Sequence, residues 1–420
     1  MPCGGALASG AVSHSLPSAQ VSDGVPGGRT VRGGRSPVPL LAVAAAVTAA
    51  NVYLNQPLLD AIARSLGADA GTLGALPTVT QAGYAAGILL LVPAGDSHDR
   101  RRLILTLGWG SAAALAVCAV APSVWCLLVA GFALGVLSPV PQLLTPLAVA
   151  LADASGGVAA GRGRIVGTVQ GGLLVGVLAS RAYAGALAEL AGWRTVYGVS
   201  CLATLGLMAV LRRALPPLPA AGGPGYRATL ASLPRLWWRP VVRVVTVSGA
   251  LVGVAFGAFW TTLTFLLAHE HRLAPARIGL FGLVAAASAA ASPYAGRLAE
   301  RWGRRGAMAA LTGLVVAGWL VLLPGTGSLW WVIAGVIVLD VGVWGGQATT
   351  QTVLFRLDAA QHNRLNTLYF TLRFLGIAAG SLCGALAWTA GGWPAVVATG
   401  CAAALAGLLV GLLPVGDAGR

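Results

Sequence analysis

Long apolar segments recur along this chain, separated by short polar segments that hold most of the charged residues. A helix of about twenty apolar residues is long enough to cross the ~30 Å hydrocarbon core of a bilayer. The pattern therefore predicts an all-α polytopic membrane protein. Twelve transmembrane segments are expected, at residues 38–62, 75–95, 102–121, 124–151, 164–190, 193–213, 241–268, 277–297, 306–324, 328–355, 364–390 and 393–414.

The predicted segments differ in polarity. The third, sixth, ninth and twelfth hold little besides Gly, Ala, Val and Leu, whereas the first, fourth, fifth, tenth and eleventh carry polar side chains at helical spacing. Polar groups within a bilayer face other helices or water. We therefore expect an outer set of helices that faces lipid and an inner set that faces a cavity.

The composition is typical of a membrane protein. Hydrophobic residues make up 57% of the 420 residues and charged residues 9%, which excludes an ordinary soluble domain. All 27 basic residues are arginine, and the formal net charge is +15. A nucleic-acid-binding protein would gather this charge on a soluble domain, and no polar stretch is long enough to form one. The six cysteines lack the spacing of a metal site or a CxxC motif, so we expect them to act as small hydrophobic residues.

The distribution of arginine predicts the orientation in the membrane. With the N-terminus inside, the inner segments carry 21 arginines and the outer segments carry 4, while Arg181 and Arg373 lie within transmembrane segments. Basic residues are enriched in the cytoplasmic loops of membrane proteins. We therefore expect a multi-pass protein of the plasma membrane with both termini in the cytoplasm.

The two halves of the chain repeat one another, which indicates that six segments have been doubled in parallel. Three matches lie 200 residues apart: Arg164 with Arg364, Gly176 with Gly376, and the Gly-Trp pair 192–193 with the pair 392–393. The expected organisation is a disordered cytoplasmic tail over 1–37, a six-helix bundle over 38–213, a cytoplasmic connector over 214–240, a second bundle over 241–414 and a cytoplasmic tail over 415–420.

Two charged loops occupy equivalent places in the two halves. Residues 93–102 read PAGDSHDRRR, and residues 296–305 read GRLAERWGRR. In each loop an acidic residue, Asp96 or Glu300, is followed four positions later by paired arginines. Enrichment of basic residues on the inner side does not require an acid at the same place twice, so the loops are candidates for a specific role.

The second loop resembles motif A of the major facilitator superfamily, G-x-L-a-D-r-x-G-r-r, with Glu300 at the acidic position. The first loop is a weaker copy, with Val92 where the leading glycine is expected. The stretches NVYLNQPLL at 51–59 and TQAGY at 80–84 are similar to the twelve-span drug:proton antiporter branch of that superfamily, as is 167–185 with its arginine. The fifth-helix signature of that branch is only loosely present, and the likeness covers about residues 38–414.

The resemblance implies two pseudo-symmetric six-helix bundles that rock about a site near the middle of the membrane. It also implies that the charged loops act as gating latches, in which an acid and arginines hold one conformation. The latch residues would be Asp96, Arg100, Arg101, Gly296, Glu300, Arg304 and Arg305. Plain positive-inside charge is the alternative, and the recurring acid favours the latch.

The tenth segment carries an aspartate near the middle of the membrane. Asp340, Trp344 and Gln347 lie at i, i+4 and i+7 and therefore share one helix face. A carboxylate at this depth needs a partner or water. Arg373 is a candidate partner, and the pair would then be structural. If Asp340 instead faces the cavity, loss of solvent favours its protonated form and makes it a candidate proton carrier.

Asp60, near the outer end of the first segment, is a second candidate carrier and could simply be exposed to water.

The candidate substrate cavity is built from polar and aromatic residues of the inner helices, since the resemblance implies that helices one, four, seven and ten line the path. Its residues are Asn51, Asn55, Gln56, Gln142, Arg181, Phe256, Trp260, Trp344, Gln347 and Arg373. Phe256 and Trp260 would form an aromatic wall suited to flat ligands, although helix packing is the ordinary role of a single aromatic residue. Arg181 stays charged at working pH, so it would position a substrate or tie neighbouring helices together.

These features predict a secondary transporter that exports a small organic molecule, a drug or metabolite, in exchange for protons. The sequence has no Walker loop for ATP, and no cofactor, metal or nucleic acid is expected. The expected partners are the bilayer, a small-molecule substrate and protons, and we expect a monomer. An importer or uniporter on the same fold is the alternative; a membrane-embedded enzyme would need clustered Asp, Glu and His and large loops. One aspartate against two arginines within the membrane favours neutral, zwitterionic or weakly anionic substrates over polycations.

Overall fold

The computed structural model of the chain describes residues 37–154, 162–216, 225–289, 292–357 and 361–415. Within these residues the backbone forms helices, turns and bends, and no strand. The tail predicted to be disordered, which includes Cys3, lies outside the described residues apart from Pro37. Residues 416–420 lie outside them as well.

The first half consists of six membrane helices, which we name α1 to α6. Two of them are interrupted near prolines, Pro57 in α1 and Pro139 in α4, because proline lacks the backbone N–H that a continuous helix needs. The bounds are Val38–Tyr53 for α1, continued by the 3-10 turn Gln56–Leu58 and the helix Leu59–Leu66, Ala70–Leu91 for α2, Arg100–Val120 for α3, Val124–Leu137 and Val140–Ala154 for α4, Arg162–Ala191 for α5 and Trp193–Ala214 for α6.

The second half follows a connector helix, Tyr226–Trp237. Its six membrane helices are α7 at Pro240–Phe265, extended by the π-turn Leu266–Glu270, α8 at Pro275–Ala289 and 292–302, α9 at 304–322, α10 at Leu329–Leu357, α11 at 362–390 and α12 at 393–412. Gly303 ends α8 with φ +66°, and Gly392 separates α11 from α12 with φ +62°. Gly192 makes the equivalent turn between α5 and α6 with φ +84°. Glycine suits these turns because it adopts positive φ without steric cost.

The helices account for all twelve predicted segments. Ten helices of the described residues are long and apolar enough to cross a membrane. One of these, His362–Leu412, has 51 residues and breaks at Gly391 and Gly392 into two spans. The eighth predicted segment corresponds to the two parts of α8, on either side of residues 290–291, which are not described. The prediction of an all-α polytopic membrane fold is confirmed.

Glycines allow the fifth helix of each half to pack closely on the first. A Cβ at any of four glycines would overlap a carbonyl oxygen of the neighbouring helix. The pairs are Gly172 with Ala42, Gly176 with Ala46, Gly376 with Ala250 and Gly380 with Val254. The match of Gly176 with Gly376 in the sequence therefore reflects the same packing of α5 on α1 and of α11 on α7.

The two halves meet along two helix pairs, α2 with α11 and α5 with α8. We name the two ends of the bundle the arginine-rich end (Arg100, Arg212, Arg364) and the Asp60 end. At the Asp60 end the backbones approach closely, since a Cβ at Gly185 would overlap the Pro275 carbonyl oxygen. Midway along α2 and α11, Tyr84 and Phe374 pack edge to face, with ring centres 4.5 Å apart.

The outer helices expose apolar side chains. Val117 on α3, Leu202 on α6, Leu320 on α9 and Leu409 on α12 are all exposed. In water such a surface would be unfavourable, whereas lipid accommodates it. The third, sixth, ninth and twelfth helices therefore contribute to the face expected to contact lipid.

Candidate functional site

Asp340 lies in the middle of α10 and is completely buried. Neither of its carboxylate oxygens has a hydrogen-bond partner. The indole N–H groups of Trp260 and Trp344 face the carboxylate, but neither is close enough or well enough aligned to form a hydrogen bond. An aspartate at the centre of a membrane helix costs about 2.5–3.5 kcal/mol on insertion scales. The ionised carboxylate is therefore held at an energetic cost in this conformation.

Arg181 on α5 lies over the ring of Trp260, one of the two indoles beside Asp340. Its Nε donates to Gln56 Oε1 at 2.9 Å, and its Nη1 donates to a carbonyl of its own helix at 3.1 Å. Its Cζ lies 3.8 Å from the centre of the Trp260 ring and 5.3 Å from the centre of the Tyr53 ring. A desolvated cation over an indole gains about 2 kcal/mol. Trp260 therefore connects the two charges, because its ring carries Arg181 and its N–H faces Asp340.

The ion pair considered between Asp340 and Arg373 is not formed in this structure. Arg373 is 3% exposed, and its Nη1 donates to the Tyr369 hydroxyl at 3.4 Å. Of the two buried arginines, Arg181 has the stronger electrostatic interaction with Asp340. The sequence suggested Arg373 because it lies on the next helix, but neighbouring helices in the sequence need not hold the arginine that interacts most strongly with this carboxylate.

A narrow cavity lies between the two halves near the middle of the bundle. Its polar and aromatic lining consists of Tyr53, Tyr84, Gln142, Gln170, Phe256, Trp344, Gln347, Phe370, Arg373 and Phe374. The volume of the cavity is about 30 Å³, which is room for no more than a few water molecules. An organic molecule needs more, so the halves must separate before one can enter.

Half of the predicted cavity residues line this space: Gln142, Phe256, Trp344, Gln347 and Arg373. Arg181 and Trp260 lie behind the lining, beside Asp340, and Gln56 is the side chain that Arg181 binds. The backbone carbonyl of Gln56 also accepts a hydrogen bond from the Thr264 hydroxyl at 2.8 Å, which joins α1 to α7 across the two halves.

Asn51 and Asn55 lie inside the first half and do not line the cavity. Asn51 Nδ2 donates to Thr204 Oγ1 at 3.0 Å, and Asn55 Nδ2 donates to Thr80 Oγ1 at 3.1 Å. Their polar groups are therefore used to pack α1 against α6 and α2. Spacing placed both on one helix face, but it did not show which neighbour that face meets.

Five of the polar and aromatic lining residues were not among the predicted cavity residues. Tyr53 and Tyr84 lie in the two stretches that carry the family resemblance, and the other three are Gln170, Phe370 and Phe374. Gln170 lies eleven residues before Arg181, about three helical turns, and so shares its face of α5. Phe370 and Phe374 are four residues apart and flank Arg373 on α11. A search for polar and aromatic residues at helical spacing from the two buried arginines would have found Gln170 and Phe370, and Phe374 lies one helical turn after Phe370.

The first charged loop joins the two halves at the arginine-rich end. The Asp96 carboxylate lies 3.4 Å from Arg100 Nη2, and Arg100 Nε donates to the Gly95 carbonyl at 3.0 Å. The same oxygen of Asp96 accepts a hydrogen bond from Asn363 Nδ2, on α11, at 3.2 Å. The acid of the loop therefore binds both its own arginine and the opposite half.

Arginines of the two charged loops make equivalent contacts. Arg101, on α3, donates to the Arg212 carbonyl at the end of α6 at 2.6 Å. Arg304, on α9, donates to the Gly411 carbonyl at the end of α12 at 3.5 Å. A cation is favourable at a helix C-terminus, where carbonyl groups lack partners in the helix. The loops thus tie the third helix of each half to the sixth.

The acid of the second charged loop stays a prediction. Gly296 and Glu300 lie on α8, in a stretch whose side chains are outside the described residues. Arg305 is exposed.

Asp60 lies at the opposite end of the bundle from these loops. Its carboxylate pairs with Arg64 Nη1 at 2.7 Å and lies 4.0 Å from His269 Nε2 on the π-turn after α7. This group is therefore part of a surface contact between the halves at the Asp60 end. Asp60 therefore differs from Asp340, because its carboxylate has an arginine partner and the carboxylate of Asp340 has none.

Comparison with known proteins gives a consistent family. The sequence model described as Major Facilitator Superfamily matches residues 41–381 and, in a second match, 245–419. The uncharacterized transporter YgaY of Escherichia coli O157:H7 is 37% identical over 375 residues, which are 89% of this chain and 94% of that protein. A probable transporter of Streptomyces coelicolor is 32% identical over 383 residues, 89% of this chain and 85% of that protein.

A solved structure shows the same fold at low sequence identity. The crystal structure of the human organic anion transporter MFSD10 (TETRAN) matches with a TM-score of 0.65 and 18% identity. The match covers 90% of this chain and 98% of that one. At this level of identity the likeness concerns the arrangement of helices alone.

Proposed function

The chain belongs to the major facilitator superfamily, and we propose that this membrane transporter exports a small organic molecule in exchange for protons. The observation that carries the proposal is Asp340, a fully buried carboxylate without a hydrogen-bond partner. It does not line the cavity between the two halves but lies next to Trp344, which does. Proton binding removes its charge and changes its interaction with Trp260 and Arg181. Proton binding at Asp340 is therefore coupled to the conformation of the cavity.

The contacts between the halves support alternating access. The Asp60 end is closed by close backbone packing, while the arginine-rich end is held by Asp96 and Asn363. Breaking the few polar contacts at the arginine-rich end costs less than separating packed backbones, so this end opens first. The halves then rock about the central cavity, as in other transporters built from repeats.

The proposed orientation places the arginine-rich end and both termini in the cytoplasm of a cell with this protein in its plasma membrane. The excess of arginine in the segments at that end supports it. The likeness of residues 51–59 and 80–84 to drug:proton antiporters supports export over import. An importer or uniporter on the same fold is the second candidate, and it differs in the coupling at Asp340.

A catalytic function is not favoured by the arrangement of side chains. Across the described ranges there is no group of three or more His, Cys, Asp and Glu residues that could hold a metal ion. The buried charged residues are spread over three helices rather than gathered at one membrane face. We therefore propose transport without chemical conversion of the substrate.

The experiment begins with a growth screen of an exporter-deficient host carrying this gene against a chemically diverse toxin panel. Compounds to which the gene gives resistance are then added to inverted membrane vesicles that hold a pH gradient, and proton release is followed with acridine orange. Wild type and Asp60→Asn should release protons on addition of the compound, and Asp340→Asn should not. Equal release by Asp340→Asn would remove this residue from the mechanism, and resistance to no compound would contradict export.

A further inference from the structure

The buried charges of the described residues do not balance. Among the described residues, the buried charged side chains are Asp340, Arg181 and Arg373. With Asp340 ionised the sum is one positive charge, and with Asp340 protonated it is two. An uncompensated charge in a membrane interior is costly. The central cavity therefore attracts an anion in either protonation state.

Arg373 is the arginine that presents its charge to the cavity. Arg181 is held by Gln56 and the Trp260 ring, and it interacts with Asp340. Arg373 belongs to the cavity lining, and its one hydrogen bond within the described residues goes to the neutral hydroxyl of Tyr369. A guanidinium has five N–H donors in a planar fork, so Arg373 retains donors for a bidentate contact with a carboxylate or sulfonate.

The walls of the cavity favour a flat apolar body beside that anionic group. Phe370 and Phe374 flank Arg373 with rings 6.2 Å apart and inclined by 30°. Phe256 on α7 and Trp344 on α10 also line the cavity, and their ring centres lie 6.1 Å apart. Aromatic faces and edges pack well against another aromatic ring. When the halves separate and a substrate enters, these four aromatic side chains favour an aromatic ring over an aliphatic body.

Resting on the transport function above, we propose that the substrate is an aromatic monoanion. Its carboxylate or sulfonate binds Arg373, and its ring packs among Phe370, Phe374 and Trp344. A single negative charge brings the buried sum to zero when Asp340 is ionised. This narrows the range of neutral, zwitterionic and weakly anionic substrates that the sequence suggested.

The test is equilibrium dialysis of radiolabelled probes with the purified full-length protein in detergent, without a pH gradient. The probes are two matched pairs of equal shape, benzoate with benzamide and 2-naphthoate with 2-naphthamide. The carboxylates should bind at least about tenfold more tightly than the amides, because a charge-assisted bidentate contact is lost in the amide. In Arg373→Gln this preference should disappear, while in Arg373→Lys it should persist in weaker form.

Arg364→Gln is the matched control, since it removes the same charge from the same helix. Arg364 donates to the Ser232 hydroxyl at the arginine-rich end and does not line the cavity. The Arg364→Gln variant should prefer carboxylates over amides by the same factor as the wild type. Amides that bind as tightly as carboxylates, a preference that survives in Arg373→Gln, or no binding of either pair would overturn the proposal. Because no proton gradient is used, failure here is distinct from failure of proton-coupled export in the vesicle assay.

Discussion

The guanidinium carbon of Arg181 lies 3.8 Å from the centre of the Trp260 ring. The N–H edge of the same indole faces Asp340, so Trp260 interacts with both Arg181 and Asp340. Arg181 belongs to the first half of the chain, whereas Trp260 and Asp340 belong to the second. A change in the charge of Asp340 is therefore felt at a contact between the halves, which is where a transporter must couple a proton to movement.

Trp260→Phe should weaken this coupling without removing the aromatic face. Phenylalanine keeps a ring under Arg181 but lacks the N–H that faces Asp340, and its cation–π attraction is weaker by about 1 kcal/mol. We expect proton-driven export to slow about fivefold. The measurement is the initial rate in vesicles with a compound from the growth screen. Trp330→Phe, at an exposed position, is the control, and an equal loss there would show a general effect.

Neighbouring glycines on α5 should respond in opposite ways to alanine. A Cβ at Gly172 would overlap the Ala42 carbonyl oxygen, whereas at Gly171 nothing lies within 4 Å. Gly172→Ala should lower the free energy of unfolding by about 1–3 kcal/mol through overpacking. Gly171→Ala should leave it unchanged or raise it by up to about 1 kcal/mol, because alanine is the better helix former. Thermal unfolding midpoints of the purified proteins give the comparison.

Equal midpoints for the two variants would contradict the close packing of α5 on α1. The same result would also contradict the interpretation that Gly176 and Gly376 repeat because α5 packs on α1 as α11 packs on α7.

Asn363→Ala should favour opening at the arginine-rich end. The variant loses the 3.2 Å hydrogen bond to Asp96 that joins the halves, worth about 1 kcal/mol or about fivefold in population. Ile88 is 1% exposed and lines the space beneath this contact. In a background without native cysteines, Ile88→Cys should react with a membrane-impermeant maleimide about fivefold faster when Asn363 is alanine.

Asn366→Ala provides the control for this measurement. Asn366 accepts a hydrogen bond from Gln351 within the second half, at 3.3 Å, and does not join the halves by that contact. Its maleimide rate should equal that of the parent. A rate raised equally by both variants would mean that α11 is loosened rather than that a latch is released.

The sequence predicted the helices because these depend on local quantities, whereas the orientation in the membrane stays a prediction. Apolar length fixes each span, and the arginine count favours one orientation whatever the helices pack against. The glycine repeat also survived, since Gly176 and Gly376 mark a backbone approach that tolerates no side chain. Such features are readable along one helix at a time.

Side-chain partners were harder to predict because they depend on how each helix is rotated. Asn51 and Asn55 share the expected face of α1, yet that face meets α6 and α2 rather than the cavity. Asp340 interacts more strongly with Arg181, 159 positions earlier in the sequence, than with Arg373 on the adjacent helix. Periodicity gives a face but not its neighbour, and no charge pattern identified the indole between the two groups.

The most direct test of proton-coupled alternating access measures both ends of the bundle at once. Spin labels are placed at exposed positions, 102 and 305 at the arginine-rich end and 64 and 330 at the Asp60 end, in a background without native cysteines. Pulsed electron double resonance then gives the two distances at pH 5 and pH 8. Proton-coupled alternating access predicts that the two distances change in opposite directions in the wild type and that neither changes in Asp340→Asn. Distances that lengthen together, or an Asp340→Asn variant that responds as the wild type does, would contradict it.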